Sequence, residues 1–244
     1  MNRKEIALNL EGVKAGIIYH YFKDVKIKTF LLSFGKRRRV LSTLEGFKEV
    51  KFVGNHYNPP QLWDFVHKNK KEYEEEICAD LGMNPKDIAM LFTGVDVDNI
   101  SFEKEEFKNI KICACVTCGV KSNAQRIGVD KAGSVEVMEG LFESLGTVNV
   151  IILTNASLRD AAMARSIITV TEAKAIAFQD LDIRSSYNPE IQATGTGTDN
   201  IIVVSGFGPE ITYVGGHAKI GEIMARVVTQ ATKEAILKQR GKRS

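Results

Sequence analysis

The stretch 193–221, A-T-G-T-G-T-D-N-I-I-V-V-S-G-F-G-P-E-I-T-Y-V-G-G-H-A-K-I-G, leaves the fold little freedom. Thr194, Thr196 and Thr198 alternate with Gly195 and Gly197, and Asp199 follows. Residues 200–205 are then an apolar run of strand length without helical spacing. Gly215, Gly216 and His217 precede a helical pattern over about 217–238, carried by Ile220, Met224, Val227, Val228, Ala231 and Ala235. Residues 147–182 echo this order: a strand (147–154), a loop, then a long helix over 157–182. Strands run consecutively early in the chain and alternate with helices later. That pattern predicts an α/β or α+β single domain, with a mixed or antiparallel sheet and long helices packed on it.

The glycines do not make a phosphate cradle. A dinucleotide fingerprint needs a third glycine opening a helix, but position 200 is Asn and a strand follows. No Lys-Ser or Lys-Thr closes a P-loop. The turn therefore suits a neutral ligand or an oxyanion formed during a reaction. The plainer alternative is a tight turn whose threonines are strand residues.

Other classes are disfavoured by composition. A net charge of +3, from 33 basic and 30 acidic residues, gives no argument for nucleic acid. Lys36-Arg37-Arg38-Arg39 reads as a solvated turn. No apolar run approaches membrane-spanning length, and residues 1–10 do not resemble a signal peptide, so a cytoplasmic location is expected. Cys113-x-Cys115-x-x-Cys118 invites a metal reading. Two of these cysteines lie inside a strand-like run, however, where cysteine packs as a small hydrophobe. Core cysteines, with no metal and no disulfide, are the expectation.

Residues 15–22, 27–34, 40–44, 50–54, 88–93 and 111–117 read as strands. Residues 61–81 read as one helix ending at Gly82. The pattern of 103–107 fixes no element. Residues 119–146 read as a long functional loop with a short helix near 135–145. In helix 157–182, Met163, Ile167, Val170, Phe178 and Leu181 share a face, and Lys174 interrupts it. Lys174 is either a snorkelling edge residue or a site ammonium.

Taken together, the chain resembles the adenosylcobinamide amidohydrolases of corrinoid salvage. The likeness is carried by Leu41-Ser42-Thr43, residues 55–60, V-T-C-G-V-K-S-N-A at 116–124, and Thr147-Val148-Asn149. It continues with Thr171-Glu172-Ala173-Lys174, residues 193–199, and Y-V-G-G-H-A-K-I-G at 213–221. It spans about residues 40–237. The resemblance implies hydrolysis of adenosylcobinamide to adenosylcobyric acid and 1-amino-2-propanol. The corrinoid is then substrate, no cofactor is expected, and oligomerisation is left open. No shared mechanism comes with the resemblance, so roles are assigned by chemistry. His217 is a candidate base or acid, because imidazoles titrate near neutrality. Asp199 would orient it or activate water, and Thr196 or Thr198 is a candidate nucleophile, with Lys174 as its alternative assistant. Thr194, Gly195, Gly197, Thr198, Asn123, Glu172 and Gly216 are candidate substrate-binding positions. Glu172 and Lys174, two apart, point to different sides of a helix. Rival readings are a non-catalytic corrinoid binder and an amidohydrolase of another bulky amide.

Overall fold

The computed structural model describes residues 1–132 and 147–241. The chain runs β1 (Asn2–Ile6), β2 (Val13–Phe22), β3 (Val25–Ser42) and β4 (Gly46–Tyr57), then helices α1 (Trp63–Lys68) and α2 (Lys70–Asp80). Strands β5 (Ile88–Thr93), β6 (Ser101–Phe107), β7 (Ile110–Cys118) and the short β8 (Ala124–Gln125) follow. After them come β9 (Val148–Thr154), β10 (Ser157–Leu158) and helix α3 (Asp160–Asp180). The chain ends with β11 (Gly195–Thr196), β12 (Asn200–Val204), β13 (Glu210–Ile211) and helix α4 (Lys219–Gln239). Nine strands form one mixed sheet, ordered β1-β2-β3-β12-β9-β7-β6, with β4 pairing to β3 and β5 to β4. The α/β expectation of a mixed sheet carrying long helices holds.

The sheet divides at β3. One of its edges pairs with β2 along residues 25–34 and with β12 along 40–42, while β4 follows the other edge. The β4–β5 arm curls back far enough for Asn149 of β9 to reach the Phe92 carbonyl of β5 at 3.0 Å. Inside the curl lie Phe30, Leu32, Val53, Leu91, Ile151, Leu153, Ile202 and Val204. The outer face of β7, β9 and β12 packs on α3 and α4 through Ile112, Val150, Ile152, Val170, Phe178, Met224 and Val228. Strands buried on both faces read as continuous apolar runs, which is why β9 and β12 were legible.

Several boundaries differ from the sequence expectation. Residues 27–34 and 40–42 join into β3, because a register shift between Ser33 and Arg38 absorbs the basic run as a bulge, and Thr43 and Leu44 fall in the turn to β4. Arg38 is not solvated. It is buried between the Phe34 and Phe207 rings, and burial lowers its pKa. Residues 61–81 are not one helix: Asn69 is non-helical, and its side chain donates to the Phe65 carbonyl at 3.0 Å, competing with the helical ladder. Residues 103–107 belong to β6. Helix α3 begins at Asp160, since Ser157–Leu158 pairs with β13. His217 lies in a turn two residues before α4. The helix expected near 135–145 lies outside the described residues.

The four cysteines are free and buried. Cys113 and Cys115 face the inside of the curl and Cys118 the helix layer, because neighbouring strand positions alternate. Those three thiols cannot converge on one ion. Joint replacement of Cys113, Cys115 and Cys118 by Ala should lower the melting temperature and leave turnover largely intact. Stoichiometric zinc, lost together with activity in that variant, would refute this.

Candidate active site

The Thr194–Asp199 turn sits where α3 passes the start of β12. β11 pairs with β8, Gly195 opposite Gln125 and Thr196 opposite Ala124. The chain turns at Gly197 and Thr198 and enters β12. Asp199 folds back over this turn. Its Oδ1 accepts the Thr196 hydroxyl at 2.5 Å, the Thr196 N–H at 3.1 Å and the Val148 N–H at 3.2 Å. Its Oδ2 accepts the Thr196 N–H at 3.1 Å and the Lys174 ammonium. The Thr147 hydroxyl donates to the Thr198 carbonyl, pinning the turn to the start of β9.

Lys174 is therefore not a snorkelling residue. It is 8% exposed and points from α3 into the turn. A buried ion pair is tolerated only when its remaining hydrogen-bonding capacity is met, and the donors around Asp199 meet it. Gly195 makes the approach possible. A Cβ there would lie inside the van der Waals envelope of Asp199 Oδ2 and Lys174 Nζ. Its φ is not in the left-handed region, so closeness rather than backbone conformation requires glycine.

Around this core the other candidates are distributed unevenly. Thr194 Oγ1 accepts the Ile127 N–H at 3.1 Å and bears on loop structure. Gly197 is exposed, and a Cβ there would lie 3.0 Å from Gln125 Oε1 and 3.3 Å from Asn123 Oδ1. Asn123 donates to Thr198 Oγ1 at 3.5 Å and accepts from the Tyr187 hydroxyl at 3.3 Å. Glu172 faces solvent on α3, with no hydrogen bond or ion pair among the described residues. Gly216 is exposed.

His217 is not brought to the turn. It is exposed beside Gly215, where an added Cβ would lie 3.1 Å from His217 Nδ1 and 3.4 Å from Arg165 Nε. Its ring neighbour is Tyr213, at 6.1 Å between centroids. The segment that carries it is tied to α3 at Thr169, whose hydroxyl donates to the Val214 carbonyl at 2.9 Å, whereas the turn meets α3 at Lys174. Five helical positions separate the two, about 7.5 Å of helix axis.

Sequence reasoning gave no role to the polar cluster on the opposite face of the same strands. Asn149 donates to Asn55 Oδ1 at 2.8 Å, and Asn55 donates to Thr117 Oγ1 at 2.9 Å. The Thr43 hydroxyl donates to Asn200 Oδ1 and accepts the Ile201 N–H, each at 3.0 Å. These residues tie the start of β9 and β12 to β3, β4 and β7. Val148 and Thr147, which hold the turn, flank or precede Asn149. Burial, followed by the charge of Asp199, pushes the nearby Cys118 thiol well above its ordinary range.

A family model described as adenosylcobinamide amidohydrolase matches residues 16–244. An uncharacterized protein of Methanocaldococcus jannaschii is 50% identical over 222 residues, 87% of each chain. An adenosylcobinamide amidohydrolase of Methanosarcina mazei is 28% identical over 196 residues, 76% of this chain and 80% of that one. Among the described residues, no helix is long and apolar enough to cross a membrane.

Proposed function

Since the chain belongs to the adenosylcobinamide amidohydrolase family, we propose that it hydrolyses the amide of adenosylcobinamide, giving adenosylcobyric acid and 1-amino-2-propanol. One observation carries the catalytic part of this reading: the Thr196 hydroxyl and the Lys174 ammonium share the carboxylate of Asp199. Thr196 Oγ attacks the amide carbon as its proton passes to Asp199 Oδ1. The carbonyl π pair moves to oxygen, where a remaining N–H of Lys174 stabilises it. Collapse breaks the C–N bond and the leaving amine takes up the proton, leaving an ester on Thr196. Water then cleaves that ester and regenerates the hydroxyl. Asn123, Gly197 and Thr198 line the approach to this group.

The test is incubation with adenosylcobinamide and detection of free 1-amino-2-propanol. Corrinoid binding without release of amine would favour a carrier, and turnover of other bulky amides alone would favour a different amidohydrolase. The placement of His217 gives a second expectation. His217→Ala should fall well short of the roughly 10²–10⁴-fold loss that follows removal of a general acid or base. A loss of that size in folded His217→Ala protein would return the imidazole to the mechanism.

A further inference from the structure

Away from the turn, five side chains make one line of hydrogen bonds. Asp80 Oδ2 lies 2.5 Å from His20 Nδ1, and His20 Nε2 lies 2.9 Å from Thr29 Oγ1. Thr29 Oγ1 lies 2.7 Å from His56 Nδ1, and His56 Nε2 lies 2.8 Å from the Tyr73 hydroxyl. Both ends, Tyr73 and Asp80, belong to α2, while the middle crosses β2, β3 and β4. The line is a staple holding α2 on three strands. His20, Thr29, His56 and Tyr73 are buried, and Asp80 is the part-exposed end.

A neutral imidazole has one donor and one acceptor, and a threonine has one proton to give. The line therefore has two self-consistent directions. With both imidazoles neutral, Tyr73 donates to His56 Nε2, His56 Nδ1–H to Thr29, Thr29 to His20 Nε2, and His20 Nδ1–H to Asp80. If His20 gains a proton, its Nε2–H donates to Thr29, Thr29 donates to His56 Nδ1, and His56 Nε2–H donates to Tyr73. The buried Tyr73 hydroxyl then has no acceptor in the line for its own proton, a state that buried donors avoid.

We infer that Asp80, His20, Thr29, His56 and Tyr73 act as one proton-linked relay, in which protonation of His20 reverses donor order as far as Tyr73 and loosens α2 from the sheet. A groove of about 950 Å³ lined by Lys4, Tyr19, Tyr21, Lys26, His20 and Asp80 reaches the outer end. The charged and titratable groups facing His20 are Asp80 of α2, His56 of β4, Lys4 of β1, Tyr19 and Tyr21 of β2, Lys26 of β3 and the Met1 amine. Burial lowers the His20 pKa and Asp80 opposes the shift. Tyr73, the far end on α2, faces His56, Phe22, Phe65 and Phe92.

Histidine ring NMR across a pH titration tests this. In the wild-type protein, His56 should stay neutral and exchange its Nδ1–H tautomer for Nε2–H at the midpoint of His20 protonation. Tyr73→Phe removes the hydroxyl that would be stranded and leaves His56 Nε2 without that partner in either direction of the line, so it should raise the His20 pKa by part of the cost of a stranded buried donor. In a Thr29→Val background, where the line is cut, Tyr73→Phe should leave His20 unmoved. Hydrogen exchange of α2 amides should accelerate below that midpoint. A His56 tautomer indifferent to His20, an unchanged His20 pKa in Tyr73→Phe, or pH-independent α2 exchange would each overturn the relay.

Discussion

Lys174→Met is expected to lower kcat on adenosylcobinamide by roughly 10²–10⁴-fold, with Thr196→Ala in the same range. Methionine fills the aliphatic path of Lys174 but removes the ammonium. Asp199 then keeps its bonds from Thr196 and Val148 and loses its counter-charge. A carboxylate left without its buried partner destabilises the turn, so folding must be checked separately. The diagnostic measurement is single-turnover cleavage beside corrinoid binding. Thr196→Ser should retain much of the rate, since it keeps the hydroxyl. Rapid cleavage by folded Thr196→Ala would remove the covalent step and leave Asp199 acting on water.

Lowering the pH should unfold the protein earlier than carboxylate protonation alone would require. Burial, and then the nearby His20, depress the His56 pKa to about 3. For such a group the stabilisation is complete above the ordinary imidazole value near 6.5. It is lost as pH falls towards 3, because the unfolded state binds the proton first. The full span corresponds to about 5 kcal/mol. Between pH 6.5 and 5, where exposed carboxylates remain ionised, stability should fall by ~1.4 kcal/mol per pH unit for each proton taken up. Urea midpoints measured across that window check it. A flat profile there would mean that His56 titrates as an ordinary imidazole.

What could be read from the sequence was what pattern alone determines. β7, β9, β12, α3 and α4 followed from uninterrupted apolar spacing. Lys174 announced itself by breaking the apolar face of α3, and the order Thr196–Asp199 placed the turn. The continuity of β3 was hidden because Lys36, Arg37 and Arg39 look like a turn, whereas a bulge keeps them in the strand. The break at Asn69 depends on one side chain competing with the backbone, which a periodicity count does not weigh. The partnership of Asn149 with Asn55 spans 94 positions and needs the curl of the sheet to exist. His217 was grouped with the turn by its neighbouring glycines, whereas in the fold those glycines belong to the connection from β13 to α4, where its ring neighbour is Tyr213.

The division of the sheet at β3 also sets a timetable for synthesis. Ser42 pairs with Ile202, so the end of β3 meets its second neighbour 160 residues later. At ordinary translation rates of about 5–20 residues per second, that edge waits roughly 8–30 s on the ribosome. Val40 and Leu41 stand there as an unpaired apolar edge, a template for wrong partners. Arg37, exposed, and Arg39, half-buried, stand beside them and guard it with charge until β12 emerges. The Thr194–Asp199 turn directly precedes β12, so the edge is covered and the turn closed in the same late event.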